Sequence, residues 1–272
     1  QTFLRMLVRQ LLALCLLGVA WASPTASFAV CGRAAAAKAQ TDTPHLALAP
    51  STTPWPAPQL RLRGGQATVT KLAAELELEC ANLLGEAPMW HEGEGVLYWL
   101  DINGKKLWSY SPTSKESKSW DLPEVAGSFA LREGGGFLMG FVSGLSWYDP
   151  ETGKVDKVCD YEEGLNTRPN DGKCDRQGNF VIGSYNNNHR QDELNIAGLW
   201  RLNAEGLSLE EILDYRFRCS NTIAFDVTGE KLYFCDTPTK KIYRFDYSPT
   251  KPLSGKTLFY EMGAEEAGGP DG

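Results

Sequence analysis

A short apolar strand pattern recurs four times along this chain, and each copy follows a turn sequence. The central apolar residues of the copies are Leu97, Phe137, Phe180 and Leu232, separated by steps of 40, 43 and 52 residues. Repeats of about 40 to 50 residues are typical of propellers, because each four-stranded blade is one unit repeated around an axis. The spacing therefore predicts radial repetition of β-sheets.

A second apolar segment follows each copy and completes a hairpin. These segments lie at residues 107–110, 145–148, 199–202 and 242–245, with turn sequences such as Asp-Pro-Glu-Thr-Gly at 149–153 nearby. No long segment with helical periodicity occurs after residue 76; the nearest candidate, 207–215, is short. The prediction is an all-β propeller, with a single β-sandwich as the alternative.

The first 74 residues differ in composition from the rest. Residues 11–21 are an apolar run of 11 residues behind Arg9, shorter than the roughly 20 residues of a spanning helix, and no acidic residue occurs before Asp42. We interpret residues 1–40 as a signal or transit presequence leading to a plastid, with secretion as the alternative and no membrane span in the mature chain. Residues 41–74 carry five prolines and are predicted to be a linker. The propeller domain is predicted to cover residues 75–272, beginning with a strand at 76–80.

The net charge argues against one class of partner, and the cysteine spacing argues against one kind of metal site. Lys and Arg total 27 and Asp and Glu total 34, which gives a formal net charge of −7 and argues against nucleic-acid binding. The seven cysteines contain no CxxC pair, so a thiolate zinc site has no support. No sequence feature specifies an oligomeric state.

Polar side chains stand at the edges of several predicted strands. Arg168 and Asn170 lie in an Arg-Pro-Asn-Asp-Gly segment, and the other candidates are Glu86, Asn221 and Asp271. Taken singly, each is typical of a turn. In a propeller, however, equivalent segments of successive blades face one channel, where two carboxylates and one amide oxygen would suit a hard divalent cation.

Six motifs together make this chain resemble the family of regucalcin, gluconolactonase and luciferin-regenerating enzyme. They are Gly-Glu-x-Pro-x-Trp at 85–90, Leu-Tyr-Trp-x-Asp-Ile at 97–102, Arg-x-Asn-Asp-Gly-Lys at 168–173, Ser-Asn at 220–221, Leu-Tyr-Phe-x-Asp-Thr at 232–237 and Gly-Gly-Pro-Asp-Gly at 268–272. The resemblance covers residues 76–272. It implies a six-bladed β-propeller, of which this chain would supply an incomplete fragment of about four blades, with one divalent metal in its channel.

The resemblance also implies residue roles. Glu86, Asn221 and Asp271 would be metal ligands, with Asp271 also a catalytic general base, and Arg168 and Asn170 would contact substrate. Ca2+ is the expected ion, with Zn2+, Mg2+ and Mn2+ as alternatives. The chain departs from the family pattern twice. Asn188 is the stand-in for an acidic substrate contact, and Asn221-Thr222 replaces the usual Asn-Gly.

The function implied is a metal-dependent hydrolase of the gluconolactonase kind, which opens sugar lactones with metal-activated water. Two alternatives remain. One is a calcium-binding regulatory propeller without turnover, and the other is hydrolysis of phosphate or phosphonate esters at a similar metal site.

Overall fold

The computed structural model describes residues 75–272. The predicted presequence (1–40) and linker (41–74) lie outside the described residues. Sixteen strands form four antiparallel sheets of four, and within each sheet strands that are adjacent in sequence are paired. The all-β propeller, present as about four blades, is therefore confirmed.

The blades follow one another along the chain. Blade 1 contains β1 (Gly85–His91), β2 (Val96–Asp101), β3 (Lys106–Tyr110) and β4 (Ser117–Asp121), and blade 2 contains β5 (Ala126–Leu131), β6 (Phe137–Phe141), β7 (Gly144–Asp149) and β8 (Lys154–Cys159). Blade 3 contains β9 (Thr167–Cys174), β10 (Phe180–Asn186), β11 (Leu199–Leu202) and β12 (Leu209–Glu211). Blade 4 contains β13 (Ser220–Phe225), β14 (Lys231–Asp236), β15 (Lys241–Asp246) and β16 (Ser254–Glu261), with a short 3-10 turn, Thr237–Thr239, after β14.

The cores lie between blades rather than between two stacked sheets. In β6, Phe137 and Met139 pack towards blade 1, whereas Leu138 packs towards blade 3. Because neighbouring residues of a strand point to opposite faces, this middle blade is apolar on both sides. That arrangement excludes the β-sandwich alternative.

The first strands of the blades, β1, β5, β9 and β13, pack successively against one another. Between blades 2 and 3 the approach is very close: a Cβ added at Gly127 would lie 1.8 Å from the carbonyl oxygen of Pro169. Only glycine fits there. The first strands are therefore the inner strands, so their side chains can meet near one axis.

One predicted strand is wrong. Residues 76–80 belong to no strand, and Leu76 is 63% exposed. Glu77 instead accepts a hydrogen bond of 2.6 Å from the Tyr110 hydroxyl and pairs with Lys115. Alternation of apolar and polar residues does not create a strand without a sheet edge to pair with. In residues 75–272, no helix has the length and apolar character needed to cross a bilayer.

Candidate functional site

The inner strands of blades 1, 3 and 4 each carry a β-bulge beside predicted site residues. Pairing shifts after Glu86 in β1 and after Asn221 in β13, and the shift in β9 falls on the stretch that contains Asn170. A bulge leaves residues unpaired and re-aims their side chains. We expected these residues on turns before strands; they lie within inner strands, whose bulges turn them towards the axis.

Blade 2 has a bulge at the corresponding place but contributes no side chain. Its pairing shifts between Ala126 and Ser128, and the residue between them is Gly127. A side chain there would strike Pro169 and the backbone nitrogen of Asn170, 2.9 Å from the added Cβ. The glycine thus makes room for the site residues of blade 3.

A chain of hydrogen bonds joins the site residues of blades 3 and 4. Arg168 Nη1 donates to Asn170 Oδ1 at 2.8 Å. Asn170 Nδ2 donates to the carbonyl oxygen of Ser220 at 2.7 Å and to Asn221 Oδ1 at 3.2 Å. The structure therefore brings Arg168, Asn170 and Asn221 together.

The carboxylates of three segments, Glu86, Asp171 and Asp271, interact electrostatically. Burial, followed by the negative charges of Asp271 and Asp171, raises the pKa of Glu86 to about 8, while Arg168 opposes the rise. Like charges that share a partly desolvated space favour the protonated acid. A cation placed among these oxygens would remove that penalty. Glu86 and Asp271, 185 positions apart in sequence, thus belong to one site.

The segment that carries Asp271 is held against blade 4. Thr222 Oγ1 donates to the carbonyl oxygen of Asp271 at 3.2 Å, and Thr237 Oγ1 donates to that of Pro270 at 3.1 Å. Asp271 Oδ1 lies 3.2 Å from the side-chain amide of Asn221.

Asp171 is a site neighbour that sequence reasoning did not select. Its Oδ2 accepts a hydrogen bond of 2.7 Å from the Ile223 backbone nitrogen, and burial raises the pKa of its carboxyl. The residue follows Asn170 inside the same bulge. The Asn-Asp-Gly sequence suggested a turn, and only the bulge places both polar side chains near the axis.

Tyr185 was also missed. The Arg168 guanidinium carbon lies 4.2 Å from the centre of the Tyr185 ring, and the two residues are directly paired between β9 and β10. The Tyr185 ring also contacts the His189 ring, at 4.7 Å between centroids. This stack fixes the direction of Arg168, and the cross-strand pairing would have revealed it had the register been known.

Asn188 is not brought into this group by any contact among the described residues. It lies exposed in the loop after β10, and its backbone nitrogen donates to Asn186 Oδ1 at 2.8 Å. Its predicted role in substrate binding stays a prediction.

The donor set fits a hard cation. Within residues 75–272, three or more His, Cys, Asp or Glu side chains nowhere converge in the manner of a metal centre. The predicted set, with two carboxylates and one amide, is of a different kind. Oxygen donors of mixed charge are those that Ca2+ and Mg2+ take, usually with water completing the shell. The like-charge crowding around Glu86 is the observation that favours a cation here.

A groove of about 520 Å³ lies elsewhere, between blades 1 and 2. Its lining includes Glu94, Tyr98, Trp120 and Arg132, and several lining residues belong to the β1–β2 and β5–β6 turns. Glu86 lies at the opposite end of β1 from those turns. The groove is therefore not part of the candidate site.

Comparison with known proteins adds independent findings. A family model described as the SMP-30/gluconolactonase/LRE-like region matches residues 84–272. An L-arabinolactonase of Azospirillum brasilense is 32% identical over 200 residues, which cover 73% of this chain and 66% of the relative. A putative sugar lactone lactonase, YvrE, of Bacillus subtilis is 33% identical and covers 65% of this chain and 59% of the relative. The chain thus spans about three fifths to two thirds of the length of these relatives.

Solved structures agree on the fold. A crystal structure of regucalcin from Agrobacterium tumefaciens, described as a calcium-binding protein, matches with a TM-score of 0.63 and 22% identity, covering 68% of this chain and 62% of that one. At this identity the match shows a shared fold.

Proposed function

This chain belongs to the SMP-30/gluconolactonase/LRE-like family, and from that premise we propose that it is a divalent-metal-dependent hydrolase of sugar lactones. One observation supports the proposal: Glu86 interacts electrostatically with Asp271 and Arg168, and the Asn221 amide lies 3.2 Å from Asp271 and is hydrogen-bonded to Asn170. The names of the relatives supply the substrate class, since two of them are named as sugar lactonases.

Glu86, Asn221 and Asp271 would hold the metal. Ca2+ is the proposed ion because all three ligands supply oxygen, and Mg2+, Mn2+ and Zn2+ are alternatives. When bound, the cation would act as a Lewis acid towards a carbonyl oxygen. Glu86 experiences two negative charges, those of Asp271 and Asp171, and one opposing positive charge, that of Arg168, so the surroundings of Glu86 favour a cation.

Arg168 and Asn170 would orient the substrate. The guanidinium is held by Asn170 Oδ1 and by the Tyr185 ring, so little freedom remains to be lost when a sugar binds. A guanidinium offers several donors in a fixed plane, which suits hydroxyl and carbonyl oxygens. As water adds to the carbonyl carbon, this positive charge would stabilise the developing oxyanion.

Asp271 is the proposed general base. Thr222 and Thr237 donate hydrogen bonds to the backbone carbonyls of Asp271 and Pro270 and so hold this segment in place. Asp271 would take a proton as water attacks the lactone carbonyl. The ring carbon–oxygen bond then breaks, and the departing oxygen takes up a proton. The product is an open-chain hydroxy acid.

The test is lactone hydrolysis measured by acid release over a panel of five- and six-carbon aldonolactones, with spontaneous hydrolysis subtracted. We expect activity that is lost in EDTA and regained with a divalent ion. Asp271→Ala should abolish both turnover and metal binding, whereas Asp149→Ala, at the end of β7, should change neither. Hydrolysis that persists without metal would refute the mechanism.

The crowded carboxylates also favour a second candidate, a calcium-binding regulatory propeller without turnover. Its support is that the charge arrangement around Glu86 calls for a cation whether or not a reaction follows. Calorimetry that shows Ca2+ binding, with no hydrolysis of any lactone, would favour it. Phosphate and phosphonate esters assayed in parallel test the third alternative.

A further inference from the structure

The groove between blades 1 and 2 has no role in the proposed reaction, and it is large enough for a small molecule. Its volume of about 520 Å³ lies within the range of about 300–1,000 Å³ that is typical of ligand pockets. Blade 1 lines the groove with its β1–β2 and β3–β4 turns, and blade 2 with its β5–β6 and β7–β8 turns. All four turns lie at the end of the blades opposite Glu86, so a ligand in the groove would not enter the candidate site.

Three aromatic side chains form part of the groove lining. Tyr98 stacks on Trp120, with 6.5 Å between the ring centroids, and contacts Phe137 edge to face at 5.1 Å. Phe137 is buried, whereas Tyr98 and Trp120 are only half-buried. A ligand placed against these two rings would remove apolar surface from water, and an aromatic ring face also attracts a cation.

Carboxylates outnumber basic groups around the groove. The lining has four acidic and two basic residues, which leaves a formal excess of two negative charges when its histidine is neutral: Glu94, Glu116, Asp149, Glu151, Lys118 and Arg132. The Arg132 guanidinium lies over the ring of Trp147, at 4.4 Å, and Trp147 is not part of the lining. One of the two positive charges is therefore already engaged by another ring.

Two of the carboxylates, one from each blade, act on the same tyrosine. The Tyr98 hydroxyl donates a hydrogen bond of 2.6 Å to Glu94 Oε2. Burial, followed by the hydrogen bond and charge of Glu94 and then by the charge of Glu151, raises the pKa of Tyr98. Among residues 75–272, neither Glu94 nor Glu151 forms an ion pair with a lysine or arginine. A cationic group in the groove would supply that partner.

We propose that this groove binds a small organic cation, that is, an ammonium or guanidinium group carried on an apolar body. The apolar body would lie against Tyr98 and Trp120, and the charged group would lie near Glu94 and Glu151. A neutral molecule of the same shape gains only the apolar contact, and an anion is repelled by the excess of carboxylates. The groove is separate from the candidate metal site, so this inference does not depend on the proposed function.

The first experiment compares three probes that share one ring and differ in charge: benzylamine, benzyl alcohol and benzoate. Each is titrated into the 15N-labelled full chain, and the indole signal of Trp120, assigned by its loss in Trp120→Phe, reports binding. Two exposed ion pairs are worth about 2- to 30-fold in affinity, so benzylamine should bind more tightly than benzyl alcohol by about that factor. Benzoate should bind most weakly, and added NaCl should reduce the differences.

The second experiment removes the charges. Glu94→Gln combined with Glu151→Gln should weaken benzylamine binding by about 2- to 30-fold and leave benzyl alcohol binding unchanged. The matched control combines Glu205→Gln with Glu230→Gln, which removes two exposed carboxylates from turns of blades 3 and 4 and should leave benzylamine binding unchanged.

Three outcomes would overturn the inference. One is a Trp120 signal that none of the probes moves. Another is equal affinity for benzylamine and benzyl alcohol in the wild type. The third is an equal loss of benzylamine affinity in both double variants, which would show that only the net charge of the protein matters.

Discussion

Glu86 and Asn221 stand at corresponding positions of blades 1 and 4, each immediately before a residue in the left-handed backbone conformation. Those residues are Ala87, with φ +52°, and Thr222, with φ +60°. Both lie where strand pairing shifts. The same local distortion, repeated in two blades, therefore turns a metal-ligand candidate towards the axis.

At position 222, glycine should destabilise the protein less than alanine does, which is the reverse of their usual order in a strand. Left-handed backbone is strained for a residue with a Cβ, and Thr222 also donates to Asp271. Thr222→Ala loses the hydrogen bond and keeps much of the strain, so we expect a loss of about 1 kcal/mol. Thr222→Gly relieves the strain and should cost less. Urea denaturation measures both variants.

The matched control for that comparison is Thr257 in β16, whose hydroxyl also donates to a backbone carbonyl. Its φ is not positive, so glycine there should cost about 0.5–1 kcal/mol more than alanine. If glycine destabilised the protein more than alanine at both Thr222 and Thr257, the explanation by backbone strain at Thr222 would be contradicted.

Gly127 should tolerate no side chain. A methyl group would overlap the Pro169 carbonyl oxygen and push blade 3 away from the axis. Overpacking typically costs about 1–3 kcal/mol, and backbone cannot yield as a flexible side chain can. Gly127→Ala should therefore lower the free energy of unfolding by at least about 1–3 kcal/mol. Gly93→Ala, which meets only the movable ring of His91 at 3.3 Å, should remain within about 0.5 kcal/mol of wild type.

Glu86 should make the metal-free protein less stable as pH rises. Its folded pKa, about 8, is above the ordinary value of 4.5, so the folded state holds the proton more tightly than the unfolded state. The associated stability is complete below about pH 4.5 and is lost progressively up to about pH 8. In EDTA, Glu86→Gln should match the wild type near pH 5 and exceed it at pH 8, as urea denaturation would report.

The exposed Glu133 provides the comparison for that pH series, since Glu133→Gln should follow the wild-type curve at every pH. If Glu86→Gln also followed it, Glu86 would not share a site with Asp271 and Asp171.

Replacement of Arg168 should impair the use of substrate without weakening metal binding. Removing its positive charge from the neighbourhood of Glu86 cannot reduce the attraction for a cation, so Ca2+ affinity should not fall in Arg168→Met. The loss of substrate orientation should lower kcat/KM for a lactone by about 100-fold. Arg132→Met is a close match, because Arg132 also lies over an aromatic ring, that of Trp147 at 4.4 Å. It should leave kcat/KM unchanged.

Much of the fold was readable from the sequence because hairpins are local. Strands β2, β6, β10 and β14 and their partners β3, β7, β11 and β15 were all indicated by short apolar runs between turn residues. Pairing between neighbours in sequence needs no information about the rest of the chain. The predicted strand at 76–80 is wrong because this segment pairs with none of the four sheets, and alternation of apolar and polar residues cannot supply a pairing partner.

Local sequence patterns specify the blades and identify Glu86, Arg168, Asn170, Asn221 and Asp271 as candidates. How these residues meet depends on the packing of the blades. The bulges, the tight contact at Gly127, and the contributions of Asp171, Tyr185 and Thr237 depend on how inner strands of different blades pack about one axis. Residues such as Glu86 and Asp271 converge through blade packing, which no local pattern of polar and apolar residues encodes.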